Sequence, residues 1–286
     1  MSIGTRGRLA TAWRAIALTA GLALMLPGGA AAAGDNENLL DSRFQFGLGT
    51  FINGSKLKVR LDGEAGLIGT PVDWSKTIGD KNLTRFRVDG LWRISDRHHL
   101  RLMYTDYNWS AVRSIEEEII WDGEVIPVGA SVRAFFGFEV AEASYEYAFV
   151  KRPDLEVAAT IGLHFTSMEA SLVGRVQVGD GQGFVERGGT TDLDAPLPVF
   201  GVRSLWRLRD NLYVDLLGQA FSLSVDEYDG RILNLRGFLI WQWHPRVGLG
   251  IGYDWFDVDI DGEEDDFRGA LDWTYEGPQI FLNFAF

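Results

Sequence analysis

The sequence predicts an all-β protein: a transmembrane, antiparallel, up-and-down β-barrel of ten or twelve strands, preceded by a cleaved signal peptide. Apolar and polar residues alternate along most of the chain, as in strands with two different faces. Short turn sequences alternate with longer connections, an asymmetry typical of outer-membrane barrels. The chain ends on apolar residues two positions apart, which share one strand face: Ile280, Leu282, Phe284 and Phe286.

The N-terminus predicts export through the periplasm. Three arginines precede an apolar run (15–26), which leads into an alanine-rich stretch ending at Ala33. This order defines a secretory signal peptide, which we expect to be cleaved after Ala33. The alternative, a single membrane anchor, needs about 20 apolar residues. The expected organisation is a signal peptide (1–33), a short N-terminal segment (34–41) and an outer-membrane β-barrel (42–286).

Composition restricts the possible partners and cofactors. The formal net charge is −13 at pH 7, and the predicted signal peptide carries only basic charges, so the exported part is more acidic still. Nucleic acid is therefore not an expected partner, because it requires a basic surface. Cysteine is absent, which excludes a disulfide scaffold and a Cys-ligated metal site. We expect no cofactor.

The apolar ladders define ten long strands. In chain order they begin at Phe44, Phe86, Leu100, Val132, Leu155, Pro198, Leu212, Leu233, Val247 and Phe267. Residues 54–81 are less regular and could add a short pair, which would give twelve strands. An even number brings both termini to the periplasmic side.

The turns set the orientation of the barrel. If the strand at 98–108 runs outward, the short turns are all periplasmic: 95–97, 151–153, 209–211 and 244–246. The longer connections at 109–130, 171–192 and 261–266 are then extracellular. Small hairpins are expected at Asp122-Gly123 and at Tyr228-Asp-Gly230.

Two positions predict a change of register. In the ladder that begins at Val132, the apolar face passes from the even positions to the odd positions after about residue 140. Such a switch needs an inserted residue, so we expect a β-bulge at 139–141. We also expect Gly277-Pro278 to shift the register ahead of the closing ladder.

Aromatic residues distinguish the membrane barrel from a soluble β-sandwich, which also shows alternation. They gather near strand ends, as an interfacial girdle does, rather than at strand centres. The predicted girdle consists of Trp92, Trp206, Trp241, Trp243, Trp255, Trp273 and Phe286.

These features together resemble the small Gram-negative outer-membrane β-barrel proteins of the OmpA/OmpW type. The ending Asn283-Phe-Ala-Phe286 resembles the signal by which the barrel-assembly machinery recognises its clients, with Ile280 and Leu282 in the same ladder. The resemblance implies outer-membrane lipid and lipopolysaccharide as surroundings. The segments 195–201 and 248–253 resemble a poorly characterised bacterial group of such barrels, which brings no established catalytic residues.

Charged residues are expected to fill the lumen. Parity places these inside: Arg85, Arg87, Asp89, Arg93, Arg101, Glu142, Glu146, Glu156, Arg203, Arg207, Asp215, Arg236, Asp254, Arg268 and Asp272. The two signs are nearly balanced, so we expect them to pair, because a buried unpaired ion is costly. The alternative is a narrow passive channel for small solutes.

His164 with Glu142 is a weak catalytic candidate. The turn at 151–153 places His164 opposite Val140 with Glu142 nearby, where it could act as a general base. Ser167 points to the other face, and Ser144 lies about two pleats away. A satisfied interior polar group is the simpler interpretation. His98, His99 and His244 are expected at solvated periplasmic turns.

The acidic stretch Asp257-x-Asp259-x-Asp261-Gly262 imitates the start of an EF-hand loop. Its twelfth position is Arg268 rather than the required Glu, so we assign no metal site. The sequence favours a non-enzymatic barrel: a structural or surface-interaction protein, or a passive channel. The alternative is a lipid-modifying or proteolytic barrel enzyme that uses His164 with Glu142. The oligomeric state stays open.

Overall fold

The computed structural model describes residues 38–63, 67–74, 83–178, 183–225, 228–264 and 267–286. The predicted signal peptide lies outside the described residues. The strands are β1 (Phe44–Leu61), β2 (Val72–Asp73), β3 (Leu83–Arg93), β4 (His98–Ser114), β5 (Ile119–Trp121), β6 (Glu124–Ile126), β7 (Ser131–Lys151), β8 (Leu155–Val178), β9 (Gly183–Arg209), β10 (Leu212–Val225), β11 (Tyr228–His244), β12 (Val247–Glu264) and β13 (Phe267–Ala285).

Ten of these strands form a closed antiparallel barrel. They follow one another around the wall in the order β1, β3, β4, β7, β8, β9, β10, β11, β12 and β13. The last strand returns to the first in a register that runs from Gln45↔Ala285 to Leu61↔Gly269. The predicted barrel and the lower of the two strand counts are therefore confirmed. Among the described residues, no helix is long and apolar enough to cross a membrane.

The four short turns, which the sequence predicts on the periplasmic side, are present at the predicted positions, whereas the longer connections are more ordered than the sequence suggests. The region 171–192 is mostly the top of the β8–β9 hairpin, whose last described pair is Val178↔Gly183. The region 109–130 contains the β5–β6 hairpin, and β2 is the described strand within 54–81 beyond the end of β1.

The two small hairpin predictions fared differently. Asp122 and Gly123 join β5 to β6 with φ values of 53° and 73°, which is the pattern of a type I′ turn and confirms that hairpin. The other was placed too late, because Tyr228 and Gly230 already pair within β11 with Val225 and Leu223.

The wall has two zones. In one zone the inward side chains are polar and the outward side chains are apolar, and in the other zone this arrangement is reversed. Strand β7 shows this reversal, although its even-numbered side chains point inward throughout Val132 to Ala148. In its periplasmic half the inward residues are Glu142, Ser144 and Glu146; in its extracellular half they are Val132, Ala134, Phe136, Phe138 and Val140. The outward residues show the reverse. They include Ala141, Ala143, Tyr145 and Tyr147 in the periplasmic half, and Arg133 and Glu139 in the extracellular half.

This inversion corrects both predicted register changes. Glu139, Val140 and Ala141 pair continuously with both neighbouring strands, and the irregularity in β7 lies instead between Ala148 and Val150. Pairing with β12 is continuous through Gly277 and Pro278, and the β1 pairs on either side of these residues keep one register. The apolar face changes because the medium outside the wall changes from lipid to water, and the chain needs no inserted residue to follow it.

Candidate functional site

An apolar plug fills the extracellular half of the lumen. The β5–β6 hairpin and the segment carrying Trp74 fold inward, and the side chains of Trp74 and Trp121 are 1% and 0% exposed. The Trp121 indole donates to the carbonyl of Gly189 at 3.1 Å, which ties the hairpin to β9. A backbone bond from Asp122 to Leu61 ties it to the top of β1, and one from Thr70 to Ile120 ties it to the segment 67–74.

Wall residues complete this extracellular plug. Trp273 lies at its centre, with its ring 4.1 Å from that of Phe138 and 5.7 Å from that of Phe136. Its indole donates to Ser55 at 2.7 Å, so the polar atom of a fully buried Trp is satisfied. Further aromatic members are Tyr107, Trp109, Phe256 and Tyr275. The plug resembles the core of a soluble barrel, as expected for a wall whose outer face is in water.

A second plug closes the periplasmic end. Residues 38–42 form a turn inside the barrel mouth, and Leu39 and Leu40 are fully buried. They belong to a cluster with Leu205, Tyr213, Phe238, Ile240, Phe281 and Ala285. The Leu39 carbonyl accepts from Gln45 Nε2 at 2.6 Å, and the Leu40 carbonyl accepts from the Lys151 ammonium. This periplasmic plug is therefore held by both apolar burial and hydrogen bonds.

A network of paired charges lies above the periplasmic plug. Glu146 accepts from Arg101 Nε at 2.8 Å and lies 3.5 Å from Arg203, which itself forms a two-pronged pair with Asp215 at 2.9 Å. Glu156 accepts from Arg93 at 2.6 Å and from Lys151 at 3.0 Å. Each carboxylate thus has at least one cation, which is the condition for keeping ions in a buried site.

A second group of ion pairs crosses the lumen nearer its middle. Arg87 bridges Asp89 at 2.8 Å and Asp254 at 2.5 Å. Arg236 reaches the same Asp89 at 3.1 Å. Above them the Arg85 guanidinium lies 3.2 Å from the centroid of the Tyr107 ring, at the lower boundary of the extracellular plug.

His164 and Glu142 do come together, but in a closed environment. They are direct cross-strand partners, with His164 Nε2 3.5 Å from Glu142 Oε2. The sequence placed His164 opposite Val140 because it centred the turn on residue 152, whereas the first pair beyond the turn is Lys151↔Glu156, which moves every partner along β8. Glu142 Oε1 accepts from Ser144 and from Gln219, and the His164 ring stacks on Phe256 at 6.3 Å. Both residues are almost fully buried.

The structure places most of the sequence-predicted lumen residues inside the wall, with two corrections. Arg268 and Asp272 lie on the outward face of β13, because the inward positions there belong to the plug residues Leu271 and Trp273. Arg207 lies at the periplasmic mouth, where it pairs with Asp210 at 2.7 Å. The other twelve lie inside: Arg85, Arg87, Asp89, Arg93, Arg101, Glu142, Glu146, Glu156, Arg203, Asp215, Arg236 and Asp254.

The residues of the predicted aromatic girdle lie partly on the outer face of the wall and partly in the lumen. Trp92, Trp206, Trp241, Trp243 and Phe286 are outward and between 36% and 53% exposed, and Trp255 is outward and half-buried. Trp273 is a correction, since it is fully buried in the extracellular plug. The residues of the closing ladder, Ile280, Leu282, Phe284 and Phe286, all lie on the outward face.

Sequence reasoning missed several interior residues. His99 is fully buried rather than solvated, with Nε2 2.9 Å from Arg93. The sequence did contain a signal for this: His99 lies two residues before Arg101, so the two side chains share the inward face of the strand. Nothing in the alternation identified Leu39 and Leu40, because they precede the first strand. Among the described residues, no group of three acidic or histidine side chains is arranged to hold a metal ion.

Comparison with solved structures identifies the fold. The outer-membrane protease OmpT of Escherichia coli matches with a TM-score of 0.54 at 9% identity, over 86% of this chain and 97% of that one. A Pseudomonas aeruginosa FadL homologue gives 0.38 at 10% identity over 92% and 95% of the two chains. Yersinia pestis Ail gives 0.32 at 8% identity over 83% and 99%. No protein-family model and no curated protein matches the sequence. The chain therefore has an outer-membrane β-barrel fold.

Proposed function

We propose that this chain is a closed, non-enzymatic outer-membrane barrel that acts as a structural or surface-interaction protein through its extracellular end. One observation carries the proposal: the lumen is filled at both ends. Trp121 and Trp74 stand at the centre of one plug, and Leu39 and Leu40 form the other, all of them almost completely buried. Between the plugs, charged side chains form ion pairs with one another.

A passive channel is the less favoured reading. A permeating solute would have to displace the interlocked rings of Trp273, Phe138 and Phe136, which lie across the extracellular half of the lumen. Below them it would have to break the paired charges around Arg87 and Glu146, whose separation would leave buried ions without partners. A selective pore would instead show a ring of one sign on an open path.

The enzyme alternative has a candidate pair but no access to it. OmpT is described as a protease, and this chain shares its fold at 9% identity, which does not extend to activity. His164 and Glu142 lie side by side, but His164 is 0% exposed and stacks beneath the aromatic plug. The remaining histidines are at the periplasmic end of the barrel: His98, His99 and His244. A general base must be accessible to its substrate. None of these four histidines lies where a substrate could reach it from the extracellular side.

The outward face fits the proposed surroundings. An apolar band that includes Phe200, Leu239 and Ile280 faces outward, where outer-membrane lipid would lie. Above it the outward side chains become charged, as at Lys58 and Asp272, where lipopolysaccharide would begin. The outward ladder at 280–286 would remain available to the barrel-assembly machinery as the last strand is delivered.

The direct test is solute uptake by proteoliposomes. The mature protein is refolded into lipid vesicles, its folding is checked by heat-modifiable migration, and swelling in an isosmotic small sugar is followed by light scattering. We expect the swelling rate of protein-free vesicles, with a porin as the positive control. Swelling well above that rate would overturn the proposal.

The enzyme alternative is tested in the same preparation. Wild type and His164→Ala are incubated with a labelled peptide mixture and with phospholipid vesicles. We expect both to remain at the background rate of hydrolysis. Hydrolysis by the wild type that is lost in His164→Ala would establish the enzyme and contradict the non-enzymatic function.

A further inference from the structure

Strand β9 has a long unpaired edge in the extracellular wall. It pairs with β8 along its whole length, from Gly183 to Trp206, but with β10 only from Phe200 to Arg209. Within the described residues, the stretch from Gly183 to Val199 therefore has no strand on its second side. Above this level β10 continues to Val225, paired only with β11. No strand of the described ranges closes the wall between the two hairpins.

The hydrogen-bonding groups of this edge can be assigned from one bond. The N–H of Arg207 donates to the carbonyl of Asp154, on the β8 side. Because direction alternates along an antiparallel strand, odd-numbered residues of β9 bond towards β8 and even-numbered residues face the open side. The donors and acceptors on the open side, for which the described part of the chain supplies no backbone partner, belong to Phe184, Glu186, Gly188, Thr190, Asp192 and Asp194.

Two prolines mark the lower boundary of the free edge. Pro196 and Pro198 occupy even positions, where an N–H would point into the opening. Proline removes that donor, a usual means of protecting a sheet edge from unwanted pairing. The protection stops at residue 196, and the even positions from Phe184 to Asp194 keep their donors.

A row of carboxylates lies on the outer face of the wall and extends to the free edge. Glu169 on β8 stands directly opposite Asp192 on β9, and Asp106 on β4 stands opposite Glu139 on β7. With Asp194 these residues form an acidic band that ends at the opening. Like charges placed opposite each other weaken a sheet, and neither Glu169 nor Asp192 forms an ion pair within the described part of the chain. A cationic ligand would relieve this repulsion.

We propose that the free edge of β9 between Phe184 and Asp194 binds an extended peptide segment rich in lysine or arginine, as an added strand. The edge supplies main-chain hydrogen bonds, and Asp192, Asp194 and Glu169 supply the charge preference. The proposal rests on the surface-interaction function and names its surface and the chemistry of its partner. Peptide binding and solute uptake are separate measurements, so either proposal can fail without the other.

The test uses a fluorescent peptide of alternating lysine and threonine, about ten residues long, the length of an ordinary strand. Its anisotropy is titrated with the refolded full barrel in detergent at low salt. Two substitutions at Thr190 form a matched pair. Thr190→Pro removes an edge N–H without touching the β8 ladder, while Thr190→Val keeps it. Both lose the hydroxyl bond from Thr190 to Ser171.

We expect saturable binding that Thr190→Val retains and Thr190→Pro weakens about three- to tenfold, the equivalent of one or two lost hydrogen bonds. Asp192→Asn with Asp194→Asn should weaken binding and reduce its salt dependence. Asp259→Asn with Asp261→Asn, on the outward face of distant β12, removes the same number of charges and serves as the control for net charge. Equal binding by the two Thr190 variants, or no saturable binding by the wild type, would overturn the proposal. Heat-modifiable migration confirms that each variant is folded.

Discussion

Single residues in this barrel matter according to which zone surrounds them. Glu146 is 0% exposed and is the shared partner of Arg101 and Arg203, with His99 Nδ1 3.8 Å away. Glu124 also forms a pair, with Arg187 at 3.0 Å, but both side chains are nearly half exposed. The same interaction therefore has different energetic weight at the two positions.

Removing Glu146 should be far more costly than removing Glu124. Glu146→Ala leaves buried guanidinium groups without their carboxylate, and breaking a buried pair in this way costs about 3–5 kcal/mol. Glu124→Ala breaks an exposed pair and should cost at most about 1 kcal/mol. The measurement is urea unfolding of the refolded protein in lipid vesicles. Similar unfolding free energies for the two variants would show that the charge network does not stabilise the lumen.

The two kinds of tryptophan should differ in their contact with lipid. Trp243 is 48% exposed on the outward face, whereas Trp273 is fully buried in the extracellular plug. In vesicles that contain brominated lipid, Trp243→Phe should remove part of the quenched fluorescence, because bromine quenches only the indoles it can reach. Trp273→Phe should remove unquenched fluorescence. If Trp273→Phe instead removed quenched fluorescence, Trp273 would be in contact with lipid, as the sequence predicted.

At the scale of elements, the turn at 38–42 is the least expected part of the structure. Two leucines close the periplasmic mouth although they precede the barrel wall. Hydrogen bonds to the carbonyls of Leu39 and Leu40 come from Gln45, Lys151 and Arg93, so wall side chains are committed to holding the turn.

Disrupting this turn should open the lower lumen to water. The chain has no cysteine, so Leu205→Cys provides a unique probe within the periplasmic cluster. We expect slow reaction with a water-soluble maleimide, and a rate at least about tenfold higher when Leu39→Asp and Leu40→Asp are added, because two charges cannot remain in that cluster. Ser95→Cys, in an exposed periplasmic turn, should react quickly in both backgrounds. Rapid reaction of Leu205→Cys with the turn intact would mean that the mouth is not closed.

Strands β7 and β13 show what alternation can and cannot predict. The period of two correctly places Glu142 and Glu146 on one face and Tyr145 and Tyr147 on the other. It cannot say which face meets lipid, since that depends on the height of each residue in the membrane. Above the lipid band Val132 and Phe136 turn inward with unchanged parity, and the pattern then imitates a change of face. The same cause misplaced Arg268, Asp272 and Trp273.

At the scale of the whole molecule, the fold and the ion-paired lumen follow from the sequence, whereas the two plugs do not. Strand number and turn positions depend on local pattern, which the chain displays clearly. The plugs depend on contacts between distant segments, such as Trp121 with Gly189 and Leu40 with Lys151, and no local pattern predicts them. The resulting barrel combines a polar, ion-paired interior at the height of the membrane with a soluble-type core above it.

Closure by two plugs also predicts how the barrel could be opened. Ser114 and Ser131 are paired neighbours, so a two-residue Asn-Gly turn can replace residues 115–130 and remove the β5–β6 hairpin. Neither this replacement alone nor Leu39→Asp with Leu40→Asp alone should create a conducting path. Both together should give measurable current, provided that heat-modifiable migration shows a folded barrel. Loss of Trp121 removes packing that holds the rings of Trp74, Phe136 and Trp273 across the lumen, and the two aspartates admit water to the paired charges below them.

The most direct test of the closed lumen is single-channel recording from the folded, mature wild-type protein in a planar bilayer. The structure predicts a silent membrane, because the extracellular plug, the paired charges and the periplasmic plug lie one after another along the lumen. Insertion is checked by protease protection in vesicles of the same lipid. Steady, reproducible openings from the wild type would contradict the account and make the lumen a water-filled path.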